Sequence, residues 1–328
     1  MKESKKDGSK YIPYEERESE ESIVYFTRDL SPNGLKKVYE KVNGNIDGKV
    51  GIKLHTGEPN GPNIIPATWV KEFIKDECKD ATIVETNTYY EGDRYTTDAH
   101  RKTLKINGWD FCPVDILDEE GTVNLPVKNG KWFDHMTVGK NLLNYDSLIV
   151  LTHFKGHMMG GFGGGNKNIG IGCADGRIGK KMIHTNENEG QWSVAEEELM
   201  EKITESTKAT IDHFKDKITY VNVMRNMSVS CDCEGVNAQK VVTPNVGILA
   251  SKDLCALDTA CVDLVYAMKP EENHDLVERI ETRKGLRQLS YMHELKMGNT
   301  KYKLIDVDNG DIEITQEKAV ENLKPFEG

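Results

Sequence analysis

Apolar positions along this chain recur with two periods. Short runs at IVYFT (23–27), KVGIKL (49–54), ATIVE (81–85), FCPVDI (111–116), SLIVLT (147–152), ITYVNV (218–223) and NVGILA (245–250) read as strands. SLIVLT is apolar almost throughout, the pattern of a strand buried on both faces of a parallel sheet. Between the runs, apolar residues return at three- and four-residue intervals. Ser31–Val42 places Leu35, Val38 and Tyr39 on one helical face, and Pro66–Cys78 does the same with Trp69, Val70, Phe73 and Ile74. Thr97–Asn107 reads as a helix, and so does the segment 276–297. Ser193 and Glu196 form a capping box ahead of Leu199, Ile203, Ile211 and Phe214. Ser251 opens a helix to Met268 with Leu254, Leu257, Cys261, Leu264 and Val265 inward. Asn129-Gly130 marks a hairpin turn, and 302–307 with 312–314 reads as a closing hairpin.

Strand, loop, helix and strand in succession predict right-handed parallel crossovers. The expected class is α/β, with parallel or mixed sheets flanked by helices and two α/β lobes with the site between them. The expected boundaries are a disordered or solvated tail at 1–22, one lobe at 23–190 and a second at 191–328. In such sheets ligands bind beyond the carboxyl ends of the strands, so the polar loops 55–63 and 152–185 are expected to share one rim.

A length of 328 residues suits this architecture, and the net charge of −11 argues against nucleic acid as a partner. No run approaches the roughly 20 apolar residues of a membrane span. The N-terminal segment carries no apolar stretch of a secretory signal, so a cytoplasmic location is expected. Seven cysteines, an odd number, read as reduced thiols rather than a disulfide framework. A homo-oligomer is compatible with all of this.

The candidate chemistry gathers in THFKGHMMGGFGGGNKNIGIGCADGRIGKKMIHT (152–185). Its glycines imply tight turns or close approach of backbone to a ligand. Lys155, Lys167, Arg177, Lys180 and Lys181 supply local positive charge, so a small anionic ligand is the expected partner. Neither a phosphate-binding P-loop nor a dinucleotide fingerprint fits: Asn168 stands where a P-loop needs Ser or Thr, and no convincing helix follows the glycines. A nest of backbone N–H groups from Gly161, Gly163, Gly164, Gly165, Asn166 and Asn168, ending at Lys167, survives that test. His157, His153 and His55 are the candidate acids and bases. In SVSCDCEG, an extended chain puts Cys231 and Cys233 on one face, where with Cys173 they would ligate a soft metal or an iron–sulfur cluster; as readily, they are buried small residues. Asp258 and Asp263 read as solvent-facing or capping.

The segments KLHTGEPNGPN (53–63), ETNTYYEGDRYTTDAH (85–100), LTHFKGHMMGGFGGGNKNIGIGCA (151–174), SVSCDCEG (228–235) and PNVGILASKDLCALDTACVDL (244–264) resemble the domain of unknown function 362 family, often labelled iron–sulfur-binding. Many members of that family carry a ferredoxin insert after the glycine loop. Here His184 runs through NENEGQW into the next helix without one, so an electron-transfer role implies a separate ferredoxin or a cluster on Cys173, Cys231 and Cys233. A remoter resemblance is to the nickel-pincer lactate racemase family. It implies His157 as the catalytic histidine, Lys167 as the carrier of a nucleotide-derived cofactor and His184 as a nickel ligand. That family's acidic-Thr-Arg-Pro segment is missing, and His55-Thr56-Gly57-Glu58 stands on the comparable strand end. Three functions follow as expectations. One is an enzyme of isomerisation or racemisation type on an anionic metabolite, metal-assisted by nickel or iron. The others are an iron–sulfur or metal-binding redox protein and a non-catalytic anion-binding module.

Overall fold

The computed structural model describes residues 7–186 and 189–327. A nine-stranded sheet organises them, formed by β1 (Glu21–Thr27), β2 (Val50–Lys53), β3 (Thr82–Glu85), β4 (Val114–Ile116), β7 (Ser147–His153), β10 (Ile218–Met224), β11 (Gly247–Ser251), β12 (Lys301–Asp306) and β13 (Ile312–Ile314). Their order across the sheet is β13-β12-β1-β11-β10-β7-β2-β3-β4. The run from β10 to β4 is parallel throughout; β11 is antiparallel to both its neighbours. Two hairpins stand outside this sheet: β5 (Thr122–Pro126) with β6 (His135–Gly139), and β8 (Lys155–His157) with β9 (Gly161–Gly163). The class is therefore the expected mixed α/β one, a mostly parallel sheet flanked by helices. Strands from either side of residue 190 share the one sheet.

β7 is buried at every position. Leu148 and Val150 enter one core while Ile149 and Leu151 enter the other, the period-two alternation of a strand covered on both faces. One face carries α1 (Pro32–Tyr39), α2 (Ala67–Glu77) and α3 (Thr97–Ile106), which supply Leu35, Val38, Val70, Phe73 and Leu104. On the other lie α4 (Gly165–Gly172), α5 (Gly179–His184), α6 (Glu196–Phe214), α7 (Leu254–Ala267), α8 (Pro270–Thr282), α9 (Arg287–Glu294) and α10 (Gln316–Val320). α1 starts as its sequence dictates, with the Ser31 hydroxyl accepting from Asn33 N and Gly34 N.

Several expectations need correction. Residues 7–20 do not form a solvated arm: Arg17 makes paired hydrogen bonds to Asp263, at 2.7 and 2.5 Å, and Tyr11 stacks on Tyr266. Residues 1–6 of that tail lie outside the described residues. Asp263 is accordingly 2% exposed rather than solvent-facing. α6 begins at Glu196, so Ser193 caps no helix; its hydroxyl accepts from Asn186 N instead. α7 is capped by Asp253, whose carboxylate accepts from Ala256 N, and not by Ser251. The segment 276–297 is broken into α8 and α9 at Lys284, which takes a left-handed φ of 56°.

The glycine run does nucleate a helix. α4 holds three internal or terminal glycines and survives because neighbours replace what propensity lacks. A Cβ on Gly170 would stand 2.5 Å from the Ile203 carbonyl, so only glycine lets α4 lie this close to α6. At its N-terminus the Asp258 carboxylate accepts from Gly165 N and Asn166 N, both at 2.8 Å.

Candidate functional site

A cavity of about 300 Å³ opens beyond the carboxyl ends of β2, β3, β7 and β10. His55 and the 152–185 loop line it together. Three of the parallel strands deliver polar groups there as their apolar runs end: Lys53 closes β2 and His55 follows it, Glu85 closes β3, and His153 closes β7 with Lys155 following.

Charge in the walls is largely neutralised from behind. Lys53, 1% exposed, donates to Glu85 Oε2, to the Leu54 carbonyl and to Asn168 Oδ1, each at 3.0 Å. Burial alone would raise the Glu85 carboxyl; Lys53 and Arg94 outweigh it and hold Glu85 well below the usual carboxylate range. Arg94 also bonds Glu58 Oε1 at 2.8 Å, and Lys155 pairs with Asp232 at 3.0 Å. Two cations differ. Lys180 donates to Thr86 Oγ1 at 2.6 Å and to the Asn87 carbonyl, without a carboxylate partner among the described residues, and burial pushes it down to about 8. Lys167 has no hydrogen-bond or ion-pair partner among the described residues, and burial lowers it from its ordinary value despite Cys231 and Cys233 nearby.

The expected anion nest is already filled. Its two inner amides, Gly165 N and Asn166 N, bind the internal carboxylate of Asp258, which also accepts from Asn222 Nδ2 at 2.8 Å. Burial raises that carboxyl to about 6. Gly161 belongs to the β8–β9 hairpin and abuts Gly285. The Asn166 side chain points into protein at Thr204 and Gln288. Asn168 ties strand ends together through Lys53 O, Leu151 O and Thr152 Oγ1. Gly163, Gly164, Lys167 and Asn168 reach the cavity wall; Gly161, Gly165 and Asn166 do not.

The four loop and rim histidines separate by their hydrogen bonds. His153 has Asp232 at Nδ1, 2.8 Å, and the Arg225 carbonyl at Nε2, 2.7 Å. Both nitrogens face acceptors, so it holds Asp232 in place and offers substrate no free nitrogen. His157 Nδ1 accepts from Met159 N at 3.1 Å and Gly160 N at 2.9 Å, which puts its proton on Nε2. His55 Nδ1 accepts from Gly57 N at 3.0 Å, with the same consequence. His184 is the opposite tautomer: Nδ1 donates to the Lys180 carbonyl at 2.8 Å, leaving a lone pair on Nε2. Burial, with Lys167 adding to it, lowers His157 to about 4. Burial takes His184 to about 3 and lowers His55 as well.

Cys231 and Cys233 meet in the cavity by a different local fold from the expected extended chain. Cys231 precedes a 3-10 turn, Asp232–Asn237, and its sulfur accepts from Cys233 N at 3.4 Å. His55 Nε2 lies 3.9 Å from Cys231 Sγ, and His157 Nε2 lies 3.9 Å from Cys233 Sγ. Cys173 is not with them; it is fully buried in the core, and burial pushes its thiol up to about 11.

These positions limit how far metal chemistry fits. The donor atoms of His55, Cys231 and Cys233 lie within 4.8 Å of one another, close enough for a single ion. A histidine that ligates through Nε2 normally donates Nδ1–H to an acceptor. Here Gly57 N–H occupies His55 Nδ1, and two amides occupy His157 Nδ1, so both Nε2 atoms carry protons toward sulfur. These residues do not fit a metal ion, and two thiols do not fit a cluster of four thiolates. Neither His184 nor Cys173, the other expected ligands, belongs to the group. A flat group carried on Lys167 does fit: Tyr89, His184 and Trp192 form an aromatic wall with ring centroids 5.0 to 6.1 Å apart.

Sequence reasoning missed Lys53, Glu85, Arg94, Asp232, Asp258 and the Tyr89–Trp192 wall. Two signals were present: an apolar strand that ends on a charge, as in KVGIK and TIVE, and an aspartate enclosed by two cysteines.

Among solved structures, the lactate racemase apoprotein from Thermoanaerobacterium thermosaccharolyticum is 12% identical over 92% of this chain and 91% of that chain, with a TM-score of 0.38. A structural-genomics protein from Thermotoga maritima is 12% identical over 78% of this chain and 57% of that one, with a TM-score of 0.39. Neither likeness assigns an activity here. No curated protein matches. The family described as Domain of unknown function (DUF362) matches residues 50–263. With most of its length in that match, the chain belongs to this family of still undefined function.

Proposed function

We propose that the protein is an enzyme that binds a small anionic molecule in this cavity and moves protons on it, an isomerisation or racemisation. One observation carries the reading. Two neutral histidines with opposite tautomers, His157 presenting Nε2–H and His184 presenting a bare Nε2, line one cavity with the unpartnered amine of Lys167. Lys167 and Lys180 hold the anionic group, since among the described residues neither spends its charge on a carboxylate. His184 Nε2 accepts a proton while His157 Nε2–H donates one. A bound anion raises both histidines toward the working range, because a nearby negative charge favours the protonated imidazole. His153 and His55 position neighbours instead of transferring protons. If Lys167 instead carried a nucleotide-derived group, the aromatic wall would stack its ring, the group would supply an electron acceptor, and Lys180 would be left to hold the anion.

The test is a panel of chiral hydroxy, amino and phosphorylated carboxylates in deuterated water, followed by NMR for exchange at the carbon next to the carboxylate. Exchange on one member, reduced about 10²–10⁴-fold in both His157→Ala and His184→Ala, is expected for a positioned acid and base. Exchange that persists undiminished in both variants rules the assignment out.

A further inference from the structure

Proton transfer uses only part of the cavity: it gives the thiols of Cys231 and Cys233 no role, and it does not explain why His55 and His157 both aim Nε2 at them. We propose that Cys231 and Cys233 form a redox-active dithiol centre, in which Cys231 is the attacking thiolate and Cys233 the resolving thiol, acting on small anionic disulfides. The centre shares the cavity, His157 and Lys167 with the proposed enzyme, but its reacting atoms are the two sulfurs, which the proton transfer does not use.

Four observations of geometry converge. First, Cys231 Sγ is surrounded by donors: Cys233 N at 3.4 Å, the His55 Nε2–H at 3.9 Å and the neighbouring Cys233 thiol. Second, the donors cannot turn into acceptors. Backbone amides at Gly57, Met159 and Gly160 lock both imidazoles with the proton on Nε2, facing sulfur. A locked N–H donor stabilises a thiolate and does not compete for its lone pairs. Third, the amine of Lys167, which has no ion-pair partner among the described residues, lines the same cavity. Fourth, the pair is reachable: both cysteines line the cavity, although Cys231 is only 2% exposed. In agreement, the hydrogen bond with Cys233 lowers the Cys231 thiol well below its ordinary value, against burial and with help from His157 and His55. The Cys233 thiol is raised by the same hydrogen bond and by burial.

The exchange balances without another reagent. The Cys231 thiolate attacks one sulfur of the disulfide, the sulfur–sulfur bond breaks, and the first thiolate leaves. Cys233 gives up its proton to that leaving group and attacks the Cys231 sulfur of the mixed disulfide. The second thiolate leaves, and a Cys231–Cys233 disulfide remains. Two electrons have passed from the protein dithiol to the small disulfide, and excess small thiol reverses the reaction. Lysines on the cavity wall favour disulfides that carry carboxylates.

The experiment uses reduced, chelator-treated full-length protein and needs no substrate of the isomerisation. Iodoacetamide alkylation is followed by mass spectrometry residue by residue from about pH 5 to pH 9. Cys231 is expected to react at a rate that stays flat down to about pH 6, at least about tenfold faster there than Cys78 or Cys112. Glutathione disulfide is then added; release of two glutathione thiols per chain, with loss of two hydrogens from the protein, is expected. Cys233→Ser is expected to stop at a single glutathione adduct on Cys231. His55→Phe is expected to slow alkylation near pH 6 yet leave it unchanged near pH 9, which a merely structural role does not produce. A Cys231 rate that climbs only around the ordinary thiol range of about 8.5 overturns the proposal. So does a stoichiometric metal ion held by the two cysteines that blocks alkylation. The hydrogen–deuterium exchange assay stands apart from all of these readouts, so failure of the dithiol and failure of the isomerase reading are separately visible.

Discussion

Replacing His184 by phenylalanine isolates how much stability this cavity gives up to acid. His184 is buried, stacks on Tyr89 at 6.1 Å and meets Trp192 edge-on at 5.0 Å, so a phenyl ring keeps the shape. Its folded value is about 3, below the roughly 6.5 of an imidazole in the unfolded chain. A depressed folded value means that the unfolded state binds the extra proton. The contribution is therefore present above about pH 6.5 and is lost as pH falls toward the folded value. Below 6.5 the loss runs at about 1.4 kcal/mol per pH unit, so between about pH 7 and pH 5 it amounts to about 2 kcal/mol. The lost bond to the Lys180 carbonyl affects both pH values equally and cancels. Urea unfolding of wild type and His184→Phe at the two pH values measures it. Wild type is expected to lose about 2 kcal/mol more than the variant, roughly half a molar or more in urea midpoint for a chain with an m-value near 3 kcal/mol/M. Equal losses in the two proteins refute a buried, neutral His184.

Other consequences can be checked in the same way. Arg17→Ala strips the arm's ion pair from Asp263 and is expected to cost about 3–5 kcal/mol in thermal or urea unfolding, because the carboxylate stays buried; a cost near zero contradicts the docked arm. Gly170→Ala forces a methyl against the Ile203 carbonyl and is expected to destabilise by about 1–3 kcal/mol, with far-UV helix content retained; an unchanged midpoint means that α4 and α6 are not in close contact. Asp258→Ala leaves Gly165 N, Asn166 N and Asn222 Nδ2 without their acceptor and is expected to cost about 3 kcal/mol or more. Hydrogen exchange of the α4 amides locates that loss, and protection equal to wild type speaks against the internal cap.

The strands and crossovers were legible because their apolar runs must be buried whatever surrounds them. SLIVLT at 147–152 admits no other place than the middle of a sheet. The cavity was legible in outline for a related reason: His157, Lys167 and His184 belong to one continuous segment that follows one such strand. What pairs with what was not. Arg17 and Asp263 lie 246 residues apart, and no local pattern tells a solvated aspartate from a buried one. Asp258 reads as an ordinary helix residue until α4 is seen to start on it. The glycines 163–165 suggested an open nest because the chain shows the donors and conceals the acceptor. Cys231 and Cys233 were placed together for the wrong local reason, an extended chain instead of a tight turn. The roles of His55, His153 and His157 depend on which backbone amides approach Nδ1, and that is set by loop closure alone.

The central claim is that an anionic small molecule binds in this cavity through Lys167 and Lys180. Thermal-shift and NMR binding measurements with short hydroxy and keto carboxylates and with phosphate monoesters test it most directly, run side by side on wild type, Lys167→Ala and Lys180→Met. The account predicts at least one anion that stabilises wild type in a saturable way and loses about tenfold or more in affinity in either variant, the scale of one removed charge-assisted contact. Anions that bind wild type and both variants equally, or none that binds at all, contradict it.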